Sequence, residues 1–131
     1  MEKEGTILIV DDNRALLAAA KMLLKNVFEE VFTLSSPKKL LPTLSEREVD
    51  VVLLDMNFEA GLNTGNEGLY WLHQIKERHP EVQVVLFTAY ADIDLAVRGM
   101  KEGANNFIVK PYDNDKLVET LRVAYSQKRA G

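Results

Sequence analysis

Apolar positions along the chain fall into two kinds of segment that alternate. Four short runs, Ile7-Leu8-Ile9-Val10, Val51-Val52-Leu53-Leu54, residues 82–87 and Phe107-Ile108-Val109, are β-branched or aliphatic and end at polar or turn residues. Runs of this kind predict strands covered on both faces. A weaker run, Val31-Phe32-Thr33-Leu34, is interrupted by Thr33 and predicts an edge strand with one wetter face. Between the strands the spacing becomes helical, as at Leu16, Leu17, Ala20, Leu23, Leu24 and Val27, so amphipathic helices are expected there. Ser36-Pro37 offers a cap followed by proline at a first helical position, Asp92 and Asp113 are candidate caps of later helices, and Gly103 stands where a helix would stop. Pro42 predicts a second helix that is short or kinked.

Strands that alternate with single crossover helices form a parallel sheet with helices on both sides, a doubly wound α/β fold. The 131 residues leave room for one such domain. Only the end, 126–131, reads as a solvated tail. The composition, 47% apolar and 27% charged, is that of a globular protein, and the net charge of −4 gives no electrostatic footing for nucleic acid or an anionic membrane. The absence of cysteine excludes thiolate metal sites and thiol catalysis. No apolar stretch is long enough to span a membrane, and the start of the chain is too weakly apolar for a signal peptide, so a cytoplasmic location is expected.

In an open parallel sheet the ligand crevice lies outside the carboxyl ends of the strands. The first run ends in Asp11-Asp12, the third strand in Asp55, the fourth in Thr88 and the fifth in Lys110-Pro111. Any one of these alone would read as a turn or cap residue. Together they bring three carboxylates, a hydroxyl and an ammonium to one edge. Crowded carboxylates take up protons unless a cation sits among them, and oxygen donors with room for water suit Mg²⁺. Such a site can receive a phosphoryl group, with Asp55 as candidate nucleophile and the Asp11-Asp12 pair better placed to hold the ion.

These residues resemble the receiver domain of two-component response regulators over nearly the whole chain, residues 5–125. The resemblance implies a flavodoxin-like sheet of five parallel strands in the order 2-1-3-4-5 with five helices. It implies Asp55 as phosphoacceptor for a sensor histidine kinase. Asp12 becomes a direct Mg²⁺ ligand, Asp11 a ligand mainly through water, and the Asn57 carbonyl a further ligand. Thr88 and Phe107 resemble the family's switch pair, which reshapes the surface of the fourth helix and fifth strand; a homodimer through the face of helix 4, strand 5 and helix 5 is expected. Phe107 stands where tyrosine is common, so readout through that hydroxyl is lost. Glu59 occupies the place of a usual proline, and Gly68 comes later than the family's glycine, making the loop after Asp55 about five residues longer than usual. That loop and the stretch from Thr88 to Val97 resemble receivers at the front of NtrC-like, sigma-54-dependent regulators. By that likeness the chain is a receiver fragment with an attached output domain missing.

Two other readings use similar residues. A haloacid-dehalogenase-type phosphatase would need a second aspartate two positions after the nucleophile, where Asn57 stands and cannot shuttle a proton. A flavodoxin-type cofactor binder would need a glycine-rich loop after the first strand, where Asp11-Asp12 would repel phosphate. The loop from Asp55 is not a Ca²⁺ loop either, because its glycine comes one place late and its twelfth position is Asn66. His73 and His79 read as surface residues without a carboxylate partner, and Trp71 as half-buried packing. Gly99 inside the fourth helix should loosen it, so that alanine there would slow hydrogen exchange.

Overall fold

The computed structural model describes residues 3–56 and 66–130. Its described strands, β1 (Glu4–Val10), β2 (Phe28–Leu34), β3 (Val51–Asp55), β4 (Gln83–Ala89) and β5 (Asn106–Lys110), are all parallel and lie in the order β2-β1-β3-β4-β5. The helices are α1 (Arg14–Leu24), α2 (Leu40–Glu46), α3 (Asn66–Arg78), α4 (Ile93–Lys101) and α5 (Asn114–Ala130). The order and the edge position of β2 are as expected from the sequence.

Alternation along each strand divides the core into two layers. Ile7, Ile9, Leu53, Val85, Phe87 and Ile108 pack with Leu17 and Leu24 of α1 and Leu117 and Leu121 of α5. Leu8, Val10, Val52, Leu54 and Leu86 point the other way, toward Leu40 of α2 and Leu69, Leu72 and Ile75 of α3. Both faces are therefore covered, which is why the three central strands read as continuous apolar runs.

The helix ends follow local chemistry. Ser36 caps a 3₁₀ turn over Pro37–Lys39, accepting from the Lys38 amide at 3.3 Å, and this turn leads into the seven-residue α2 that contains Pro42. Asp113 caps α5 through the amides of Asp115 and Lys116. Gly103 ends α4 with φ of 119°, and the bonds from Gly103 N to Met100 O and Ala104 N to Gly99 O complete a Schellman turn. Beneath Gly103 runs the stem of Lys76, whose ammonium donates to the carbonyls of Pro80 and Val82 and pins the loop before β4. Burial pushes the Lys76 pKa down, partly opposed by Glu81.

Three expectations change. Asp92 occupies the position before α4, but its side chain makes no capping hydrogen bond. Residues 126–130, read as a solvated tail, continue α5 as helix, with Ser126 and Gln127 exposed. His73 does meet a carboxylate, that of Glu102 at the end of α4, which also takes a 2.7 Å bond from Arg98. This bracket ties α3 to α4, and the bond from Arg98 is the main reason that the Glu102 pKa lies below the usual carboxylate range. Gly99 is buried, and a Cβ there would stand 2.4 Å from Leu86 Cδ1. Its glycine thus serves close packing of α4 on the sheet, and the gain in helix propensity from alanine is set against a steric conflict. Trp71 is half-buried against the α3 side of the core, edge-on to the exposed Tyr70, as expected.

Gly68 in the first turn of α3 is placed still more tightly. Its amide donates to Met56 O at 3.1 Å, and a Cβ would lie 2.6 Å from Met56 Cα, a backbone atom that cannot turn aside. Gly68→Ala is expected to lower stability by about 1–3 kcal/mol, as overpacking does, measured by chemical denaturation.

Candidate functional site

The alternation that builds the two layers also sorts the polar residues at the carboxyl edge. Asp11 follows Ile9 by two residues, Asp55 follows Leu53 and Lys110 follows Ile108, so all three continue the α1/α5 face. Thr88 follows Leu86, placing it on the α2/α3 face, where Phe107 also packs. Leu86 stands opposite Phe107 in the register, so Thr88 and Phe107 are diagonal neighbours on adjacent strands.

Lys110 joins the two buried acids. Its Nζ donates to Asp11 Oδ2 at 2.7 Å and to Asp55 Oδ1 at 3.2 Å, and it lies 4.8 Å from the centre of the Phe87 ring. Asp11 is fully buried and Asp55 only 4% exposed, whereas Asp12 is half-buried at the rim. The other oxygen of Asp11 accepts from the Asn13 amide at 2.9 Å, and Asn13 in turn caps α1 through the Leu16 amide. The start of α1 is thereby tied to the acid cluster. The Asn13 signal was present in the sequence, since an Asx residue directly before an amphipathic run is an N-cap signature.

One oxygen from each of Asp11, Asp12 and Asp55 can be chosen so that all lie within 4.8 Å of one another. At an effective dielectric of about 20, unit charges at that separation repel by roughly 3 kcal/mol per pair. Three carboxylates and one ammonium leave a formal −2, so the donor set fits a small divalent cation that binds oxygen. For Lys110, burial is the largest single influence and lowers the pKa. The hydrogen bond with Asp11 and the charges of Asp55 and Asp11 together outweigh it, and the net shift is upward. Its stabilising contribution is therefore complete below the ordinary lysine value and is lost as pH rises through the raised one.

Of the residues expected at the site, Asp11, Asp12, Asp55 and Lys110 meet in one cluster. Thr88 is buried on the neighbouring strand, its hydroxyl donating to the Ala89 carbonyl at 3.2 Å. Phe107 is half-buried beside it. Asn57 and the long loop lie outside the described residues.

The response regulator receiver domain profile matches residues 7–122. This chain belongs to that family. The N-terminal signal receiver domain of a two-component system response regulator from Bacteroides fragilis is 61% identical, with a TM-score of 0.87 over 95% of this chain and 99% of that one. The receiver domain of NtrX from Brucella abortus is 30% identical, with a TM-score of 0.83 over 92% of this chain and 98% of that one. The DNA-binding transcriptional regulator NtrC of Salmonella typhimurium is 31% identical over 124 residues, which are 95% of this chain and 25% of NtrC. The chain thus spans about a quarter of the length of the curated relatives it matches. It is a receiver domain homologous to NtrC-like regulators, and the phosphatase reading finds no support among these relatives. No helix among the described residues is long and apolar enough to cross a membrane.

Removing the Lys110 ammonium takes away the positive charge that the two buried acids share. Lys110→Met is expected to destabilise the domain by about 3 kcal/mol, and Asp55→Asn in the same chain to restore part of that loss, both read by denaturant titration.

Proposed function

We propose that Asp55 is the phosphoacceptor and that Asp11, Asp12 and Asp55 hold Mg²⁺, with the Asn57 carbonyl completing the protein ligands. The observation that carries this reading is Lys110, shared between Asp11 and Asp55 beside a third carboxylate. When bound, the ion supplies positive charge to phosphoryl oxygens and draws them toward Asp55. The Asp55 carboxylate attacks the phosphorus of a kinase phosphohistidine. The new P–O bond forms as the P–N bond breaks, and the electron pair stays on the leaving imidazole, which takes a proton from solvent. Lys110 turns part of its hydrogen bonding to the new phosphoryl group. Hydrolysis of the acyl phosphate by water returns Asp55, so the domain promotes both its own phosphorylation and its dephosphorylation.

Thr88 and Phe107 carry the state outward in this proposal. The Thr88 hydroxyl exchanges the Ala89 carbonyl for a phosphoryl oxygen, and the Phe107 ring moves into the space beside it. The two neighbours share the face that α4 covers, so the surface of α4 and β5 changes with them. That surface, with α5, is the proposed contact for a second copy, and an output region like that of NtrC is the proposed target of the signal. Residues 5–125 make up this unit, working in the cytoplasm with a sensor histidine kinase.

Incubation with acetyl phosphate and Mg²⁺ is expected to add one phosphoryl group to the intact mass, labile in base and absent from Asp55→Asn. Repeated turnover of ordinary phosphate monoesters would instead favour an enzyme. Mg²⁺ alone is expected to raise thermal stability, by about 2.7 kcal/mol at a hundredfold excess over its dissociation constant, and Asp12→Asn to abolish most of that response.

A further inference from the structure

At the opposite edge of the sheet a second acid–lysine pair fastens the end of α5. The apolar stripe of that helix, Leu117, Leu121, Ala124 and the half-buried Tyr125 against Phe28, stops at Tyr125, yet the helix runs on to Ala130. Turns with no apolar face to bury are expected to fray. Here polar contacts replace the missing burial. Lys128 Nζ meets Asp50 Oδ1 at 2.5 Å, with both side chains less than one-fifth exposed. Gln127 accepts from Asn105, which also donates to Gln83 at the start of β4.

Asp50 is itself rigidly set. Its second carboxylate oxygen accepts from the Thr6 amide at 2.8 Å, its own amide donates to Thr6 O at 2.9 Å, and its carbonyl accepts from Gln83 N at 3.0 Å. It therefore bonds the backbone of β1 and the residue that opens β4, while preceding β3. Gly5 makes room for it, since a Cβ there would lie 2.1 Å from Asp50 Oδ2 and 2.7 Å from Tyr125 Cε1.

We propose that Asp50 and Lys128 form a releasable ionic latch that holds the last turns of α5 to the sheet and so fixes the direction of the helix end. The latch is a property of this edge and does not depend on the chemistry proposed for Asp55. Because it is ionic, loss of the lysine charge opens it, while the apolar stripe keeps the first part of α5 in place; so little-exposed a pair is only weakly screened by salt.

Amide hydrogen exchange on the whole chain tests this. In Lys128→Met, amides 127–130 are expected to exchange at least about five-fold faster, with 117–121 unchanged. Asp50→Asn should give the same local pattern. Exchange at 127–130 that neither variant alters, or that rises equally along all of α5, would overturn the latch. Should Asp50→Asn loosen the whole sheet through its bond to Thr6, Lys128→Met alone decides, because that change removes only the ion pair.

Discussion

The sharing of Lys110 between Asp11 and Asp55 is the constraint on which the carboxyl edge depends. Two nearly solvent-free carboxylates a few ångströms apart repel each other strongly. A single ammonium bonded to both offsets that repulsion, and the Phe87 ring lies 4.8 Å from it. The lysine does not finish the neutralisation. With Asp12 included the cluster remains net negative, and that deficit is what makes the donor set fit a small divalent cation.

The rest of the architecture serves that arrangement. Parallel pairing of β1 with β3, and of β3 with β4, brings residues 11, 55 and 88 to the same edge although long stretches of chain separate them. The Asn13 cap ties α1 to the cluster, and the contact of Gly68 with Met56 brings α3 against the end of β3. Helix starts thus surround the acids from two sides of the sheet.

Most of the fold was legible in the sequence because its signals were local: apolar runs for buried strands, helical spacing between them, a glycine at the end of α4 and polar residues directly after the strands. Where reading fell short, the cause was distance along the chain. His73 finds Glu102, 29 residues away, and no feature near His73 announces it. Helix α5 runs on to Ala130, and Lys128 in its last turns meets Asp50, 78 positions earlier. Gly99 reads locally as a weak point of a helix, yet its meaning comes from Leu86 on a strand beneath. Asp92 shows the reverse error, a residue of the right type in the right place whose side chain does not cap.

The division of the sheet into two faces has a further consequence. Asp55 and Lys110 continue one face and Thr88 and Phe107 the other, so the two layers of the sheet meet at its carboxyl edge, where Thr88 directly follows Phe87. The Phe87-Thr88 linkage belongs to both faces: the Phe87 ring lies beside the lysine, and the very next residue faces the opposite layer. A one-residue insertion in β4 ahead of Phe87 would turn each of these side chains to the other's face, taking the ring from the lysine and the hydroxyl from the layer beneath α4.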